Sequence, residues 1–143
     1  GREGHTYYTY IYENYDKLDD YTIFLQGNPF DHSPDIIDNI SKYINSPDIN
    51  IKYMTLCKHV FTCNLNTGEH YHGDIRGVYM KLFGEHINVT HIEFGSGAQF
   101  IVSKEQILKK PRDFYMKIVA LLGYTNSPDE GYAIERLHTL IFS

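Results

Sequence analysis

The chain reads as an α/β protein in which helices flank a sheet, and three observations predict it. Apolar, β-branched runs such as Tyr21 to Leu25 and Asn88 to Phe94 alternate with stretches whose apolar residues recur every three or four positions, the period of a helix. Helix-start chemistry stands where those stretches open, as in Ser33-Pro34-Asp35 and in Ser103 with Gln106 three residues on. Polar side chains gather just past the apolar runs, where α/β domains present ligand-binding groups. The 143 residues predict one domain over 1–143, enough chain to bury on the order of two-thirds of its unfolded surface.

The elements follow in order. Gly4 to Tyr15 reads as a helix, with Tyr8, Ile11, Tyr12 and Tyr15 on one face. Tyr21 to Leu25, bounded by Gly27 and Pro29, reads as a buried strand. Ser33 as N-cap and Pro34 at the first helical position open a helix whose apolar face is Ile36, Ile37, Ile40 and Ile44, ended by Asn45-Ser46-Pro47-Asp48. Ile51 to Leu56 and His59 to Cys63 suit short strands, with a turn from Asn64 to Gly68. Gly73 to Phe83 has a helical face of Ile75, Val78, Tyr79 and Leu82. Asn88 to Phe94 and Ala98 to Val102 read as strands joined by a tight Gly95-Ser96-Gly97 loop. Ser103 caps a short helix, Pro111 opens another through Leu122, and Ser127-Pro128 opens the last, through about Leu140.

Composition bounds the partners. Net charge is -5 and no basic run occurs, so nucleic acid is not expected. No apolar stretch approaches the roughly 20 residues of a membrane span, and no leader pattern is present, which predicts a cytoplasmic protein. The tyrosines of the first helix suit a core boundary with wet hydroxyls, or a surface that stacks sugars or bases. Cys57 and Cys63 lack zinc-ligand spacing and suit free thiols. Asn88-Val89-Thr90 matches a glycosylation sequon, which carries weight only in a secreted chain.

Several clusters carry chemistry. Gln26 to His32 places Asp31 and His32 just beyond a strand, where they would hold a hard cation against a diphosphate or, alternatively, close a Gly-Asn-Pro turn. Arg2, Glu3 and His5 open a helix, which suits a phosphate or simple capping. His70 and His72, with Asp74 nearby, suit a metal pair or a polar loop. Gly95-Ser96-Gly97 lacks the lysine of a phosphate-binding loop. Gln99 interrupts an apolar run, so its amide must meet a ligand or backbone groups. Glu135 lies one position off the apolar stripe of the last helix, Ala133, Leu137, Leu140 and Ile141, where it would border a cleft as a general base or be an exposed charge beside Arg136. No serine or cysteine nucleophile motif and no HExxH occurs.

Taken together, Gly1 to Tyr7, Asn14-Tyr15-Asp16, Phe24 to Gly27 with Asp31-His32, Gly97 to Ser103, Arg112 to Tyr115, and Glu135-Arg136-Leu137 with Ile141-Phe142 resemble the DUF3431 family, found in fungi, bacteria and large DNA viruses. The resemblance covers almost the whole chain; it departs at His138, where a Trp is expected, and it lacks an upstream strand usual in the family. The family's layout is similar to nucleotide-sugar glycosyltransferases of the GT-A kind. It implies a Rossmann-like, GT-A-like mixed sheet lacking an N-terminal strand, and sugar transfer from a nucleotide-sugar donor to a glycan or glycoprotein acceptor. On that reading Asp31 and His32 hold Mn²⁺ or Mg²⁺, and Glu135 is the base of an inverting reaction. Arg2, His5, Gln26, Asn28, Gln99 and Arg136 contact the substrates. The alternatives are a carbohydrate- or nucleotide-binding module without turnover and, third, a metal-dependent hydrolase using His70, His72 and Asp74.

Overall fold

The computed structural model describes residues 2–46, 50–65, 74–86 and 88–143. Helices pack on antiparallel strands, so the α/β class holds. In one sheet β1 (Tyr21–Phe24) and β2 (Tyr53–Thr55) flank β5 (Phe100–Ser103). In the other, β3 (Val60–Asn64) pairs with β4 (His91–Gly95). A Rossmann-like sheet is built of parallel strands joined by crossovers. Among the described residues every strand pair is antiparallel.

The two sheets share one long ribbon. Thr55 opposes Phe100 in the first and Val60 opposes Gly95 in the second, and counting through the residues between them carries one register into the other. Ladder bonds survive at both lips of the gap: Leu56 N–H donates to Gln99 O at 2.8 Å and Ser96 N–H to His59 O at 3.1 Å. Between these bonds the ribbon breaks. Gly97 has φ 106° and Ala98 φ 52°, left-handed conformations that stop a strand. A Cβ at Gly97 would stand 2.7 Å from the His32 side chain, so that position is closed to larger residues on two counts.

α1 (Glu3–Glu13) packs on α5 (Arg112–Leu122) and α6 (Glu130–Ile141), and α6 also covers β4 and α3 (Ile75–Phe83). The buried face of α1 is Gly4, Tyr7, Tyr8 and Ile11, broader than the single stripe expected, because two helices and the sheet surround it. Tyr7 and Tyr8 are therefore core residues rather than boundary rings. Past α1 the chain makes a tight turn at Tyr15–Lys17. Here Tyr15 O–H donates to Lys110 O at 2.6 Å, and Arg112 donates from Nε to Tyr12 O at 2.9 Å with its guanidinium 4.6 Å over the Tyr12 ring. These contacts latch the end of α1 to the start of α5.

Two local expectations are corrected. α2 (Ile36–Ile44) starts later than proposed, and Asp35 rather than Ser33 stands at its N-cap. Ser33 is buried and engaged elsewhere: its hydroxyl donates to Leu56 O at 2.8 Å and accepts from Gln99 Nε2 at 3.0 Å. Of the four isoleucines only Ile36 is buried, against Leu56 and Ile101, while Ile37 and Ile44 are exposed, because α2 rests on the sheet along one edge. Ser103 does cap α4 (Lys104–Ile107), accepting from Gln106 N at 3.2 Å. Gln106 does not complete a capping box; its amide reaches Phe142 O at 2.8 Å and ties α4 to the end of α6.

Candidate functional site

A cleft of about 460 Å³ opens at the ribbon break, within the size range of small-molecule sites. Three walls form it. Arg2, Glu3 and Gln26 come from the start of α1 and the end of β1. Phe61, Phe94, Ser96 and Gly97 come from the ribbon, with His32 packed against Gly97. Tyr132, Glu135 and Arg136 come from successive turns of α6.

Gln99 explains how loop segments meet there. It is 1% exposed and does not line the cleft. Its Oε1 accepts from Gln26 N at 3.1 Å, and its Nε2 donates to Pro29 O at 3.2 Å and to Ser33 Oγ. The amide predicted to touch substrate is saturated by the protein and holds the β1 end against the ribbon.

The charged groups are held in distinct ways. Arg2 donates from Nη2 to the Tyr132 hydroxyl at 2.7 Å, and its guanidinium lies 4.1 Å over that ring. Its stem crosses Gly131, where a Cβ would stand 2.7 Å away. Its Nε is shielded from solvent without a hydrogen-bond partner among the described residues. Arg136, 5% exposed, donates from Nη1 to Tyr132 O at 2.9 Å and lies 4.7 Å over the Phe94 ring. Glu135 accepts from Gly97 N at 3.0 Å through Oε1. Burial pushes its carboxyl above the usual range, against the opposing pull of the Gly97 amide and Arg136; Glu3 adds to the rise. Glu3 itself accepts from Gln26 Nε2 at 3.4 Å.

Of the residues the sequence singled out, Arg2, Gln26, His32, Glu135 and Arg136 meet in this cleft. Asp31, Asn28 and His5 do not line it: Asp31 and Asn28 are exposed around a tight turn at Pro29–Asp31, and His5 faces Gly123 just past the end of α5. His70 and His72 lie outside the described residues. Asp74 caps α3, accepting from Gly77 N at 2.8 Å. Among the described residues no three His, Cys, Asp or Glu side chains stand close enough to share a metal ion, and Asp31 and His32 do not face the cleft together. Among the described residues the cleft lining does not build a metal cage.

Glu3 belongs to the Arg2, Glu3, His5 cluster of the sequence, whereas Phe61, Phe94, Ser96, Gly97 and Tyr132 are not among the expected site residues. Gly97 had a signal, its motif with Gly95. Tyr132 had none, because its partner Arg2 is 130 positions away in sequence.

These features define a class: an α/β protein whose broken antiparallel ribbon and last helix enclose a cleft carrying both arginine and glutamate side chains. The family model described as "Protein of unknown function (DUF3431)" matches residues 1–143, and the chain belongs to that family. No curated protein and no solved structure matches the chain. No helix among the described residues is long and apolar enough to cross a membrane.

Proposed function

We propose that the cleft binds a nucleotide-sugar donor and transfers its sugar to a hydroxyl of a glycan or glycoprotein acceptor. The observation that carries this reading is the meeting of two guanidiniums with a carboxylate of raised proton affinity in one small cleft. Arg2 and Arg136 suit the oxygens of a diphosphate, since planar guanidinium forks match them. Gln26 and Glu3 suit sugar hydroxyls. Glu135 takes the acceptor proton as the acceptor oxygen bonds to the anomeric carbon. The bond from that carbon to the diphosphate breaks, and the arginines hold the departing charge. The Gly97 amide fixes the carboxylate, so the base needs no reorganisation.

The test is a thermal-shift screen of nucleotides and nucleotide sugars, with Mn²⁺ and with chelator, since a ligand that binds the folded state alone raises Tm. We expect one nucleotide-sugar class to raise Tm, the shift to vanish in Arg2→Ala, and Glu135→Gln to bind donor without consuming it. A shift that needs Mn²⁺ and survives Arg2→Ala moves the diphosphate to Asp31 and His32. Donor binding without turnover in the wild type, across an acceptor panel, returns the chain to a binding module.

A further inference from the structure

We propose that the cleft also transfers a phosphoryl group to His32, hydrolysing phosphomonoesters of polyhydroxy alcohols such as sugar phosphates. This goes beyond the transfer reading: the cleft and its arginines are shared, the bond that breaks is not. One glycine brings the two reacting side chains together. The His32 side chain packs against Gly97, where a Cβ would stand 2.7 Å from its Cβ and Cγ and 3.1 Å from its Cδ2. The Gly97 N–H donates to Glu135 Oε1 at 3.0 Å. Both side chains line the cleft together with Arg2 and Arg136. His32 is exposed, and no protein hydrogen bond among the described residues occupies its ring nitrogens. A neutral imidazole carries a lone pair ready to attack, whereas the Ser96 hydroxyl of the same cleft would first need a base.

Two guanidiniums match the charge of a phosphate dianion and steady its oxygens as phosphorus changes partners. The imidazole lone pair forms an N–P bond while the bond from phosphorus to the alcohol oxygen breaks. That oxygen leaves with the electron pair and takes a proton from Glu135. Burial keeps this carboxyl protonated to higher pH than an exposed one, which suits it to the acid role. Water then attacks phosphorus, its proton passes to Glu135, and the lone pair returns to His32. Ester and water have become alcohol and inorganic phosphate, and the protein is restored. Glu3 and Gln26, bonded to each other at 3.4 Å in the cleft lining, suit the hydroxyls of the leaving alcohol.

The experiment measures phosphate release from sugar phosphates and from p-nitrophenyl phosphate by the whole chain in chelator. Release is expected from both kinds of ester. A phosphoenzyme that survives alkali and decays in acid should map to His32 by mass spectrometry of the wild type. His32→Gln should remove both release and label. Glu135→Gln should lose about a hundredfold or more on sugar phosphates, whose leaving oxygen needs a proton. On p-nitrophenyl phosphate, whose leaving group needs none, the same variant should accumulate label, because the attacking water has lost its base. No release from either ester, release by folded His32→Gln equal to wild type, or a label that maps to Ser96 overturns the proposal. The nucleotide-sugar Tm shift is read on the same samples. Phosphate release without any such shift removes the transfer reading alone. A shift without phosphate release removes the phosphoryl step alone.

Discussion

Two ionisable residues, half-buried Glu135 and buried His138, carry opposite consequences. Glu135 has a folded pKa raised by burial, so its charge is a cost to the fold at neutral pH and the protonated form is favoured. Its contribution is present in acid and lost as pH rises through the folded pKa. Glu135→Gln keeps an acceptor for the Gly97 amide and removes the charge, so it should raise Tm by about 3 °C, roughly 1 kcal/mol, while abolishing transfer. A lower Tm measured by calorimetry at pH 7 would show that the carboxylate stabilises the fold. His138 works the other way. It is buried among Tyr8, Phe100 and Tyr7, with Nδ1 2.6 Å from the Tyr8 hydroxyl, and burial lowers its pKa to about 3. The neutral ring shares a hydrogen bond with that hydroxyl. In the unfolded chain it protonates below about 6.5, so stability should fall from about pH 6.5 down to about 3, by up to about 1.4 kcal/mol per pH unit from this group. The double variant Tyr8→Phe/His138→Phe removes both partners and should flatten that limb in denaturant titrations at several pH values. An unchanged acid limb would assign it to the carboxylates.

At the scale of elements, the ribbon break decides the site. Continuous pairing from β2 into β3 would run the strands past α6 and leave Glu135 without the Gly97 amide. The left-handed pair at Gly97 and Ala98 turns that amide out of the ladder and toward α6. Gly97→Ala meets both the positive φ and the His32 side chain, so it should cost about 1–3 kcal/mol. It should also loosen the carboxylate, seen as an altered Glu135 titration by NMR. A Glu135 titration identical to wild type in Gly97→Ala would mean the amide does not hold the carboxylate. The tight Gly95-Ser96-Gly97 loop was legible from its glycines. That its amide would serve a side chain 38 residues further on was not, because nothing local encodes that distance.

Across the whole molecule, two sets of the motif residues that carry the family resemblance separate in space. Arg2, Glu3, Gln26, Gly97, Glu135 and Arg136 line the cleft, while Gln99 braces it from beneath. Tyr15, Asp16, Arg112 and Tyr115 form the latch between α1 and α5: Arg112 approaches Asp16 at 4.0 Å and the two tyrosine rings lie 6.2 Å apart. One group borders the cleft and the other packs α1 against α5. Stability should be graded accordingly. β5 is central in its sheet and all four of its residues are buried, whereas β3 exposes Val60, Phe61 and Thr62. Hydrogen exchange should therefore leave β5 and the buried face of α6 protected longest, with the β3·β4 amides opening by smaller, local fluctuations. Equal protection of both sheets would mean the ribbon opens as one unit despite its break.

The sequence by itself determined the elements and their class. Period, caps and punctuation are local, so the strand at Tyr21, the Ser103 cap and the helices after Pro111 and Asp129 could be read directly. It also marked Arg2, Gln26, His32, Glu135 and Arg136 by residue type and by position past an apolar run. Only the tertiary structure decided which of the marked residues meet. Gln99 was drawn inward because a buried amide is satisfied by whatever backbone surrounds it, and Asp31 was left outside because a tight turn carries it away. Strand direction was likewise invisible, since an apolar run has the same pattern in either pairing and the choice lies with the partner strand. The cleft joins residues 2 and 136, and a contact across that separation is set by how the helices and the ribbon pack, not by any neighbour in the chain.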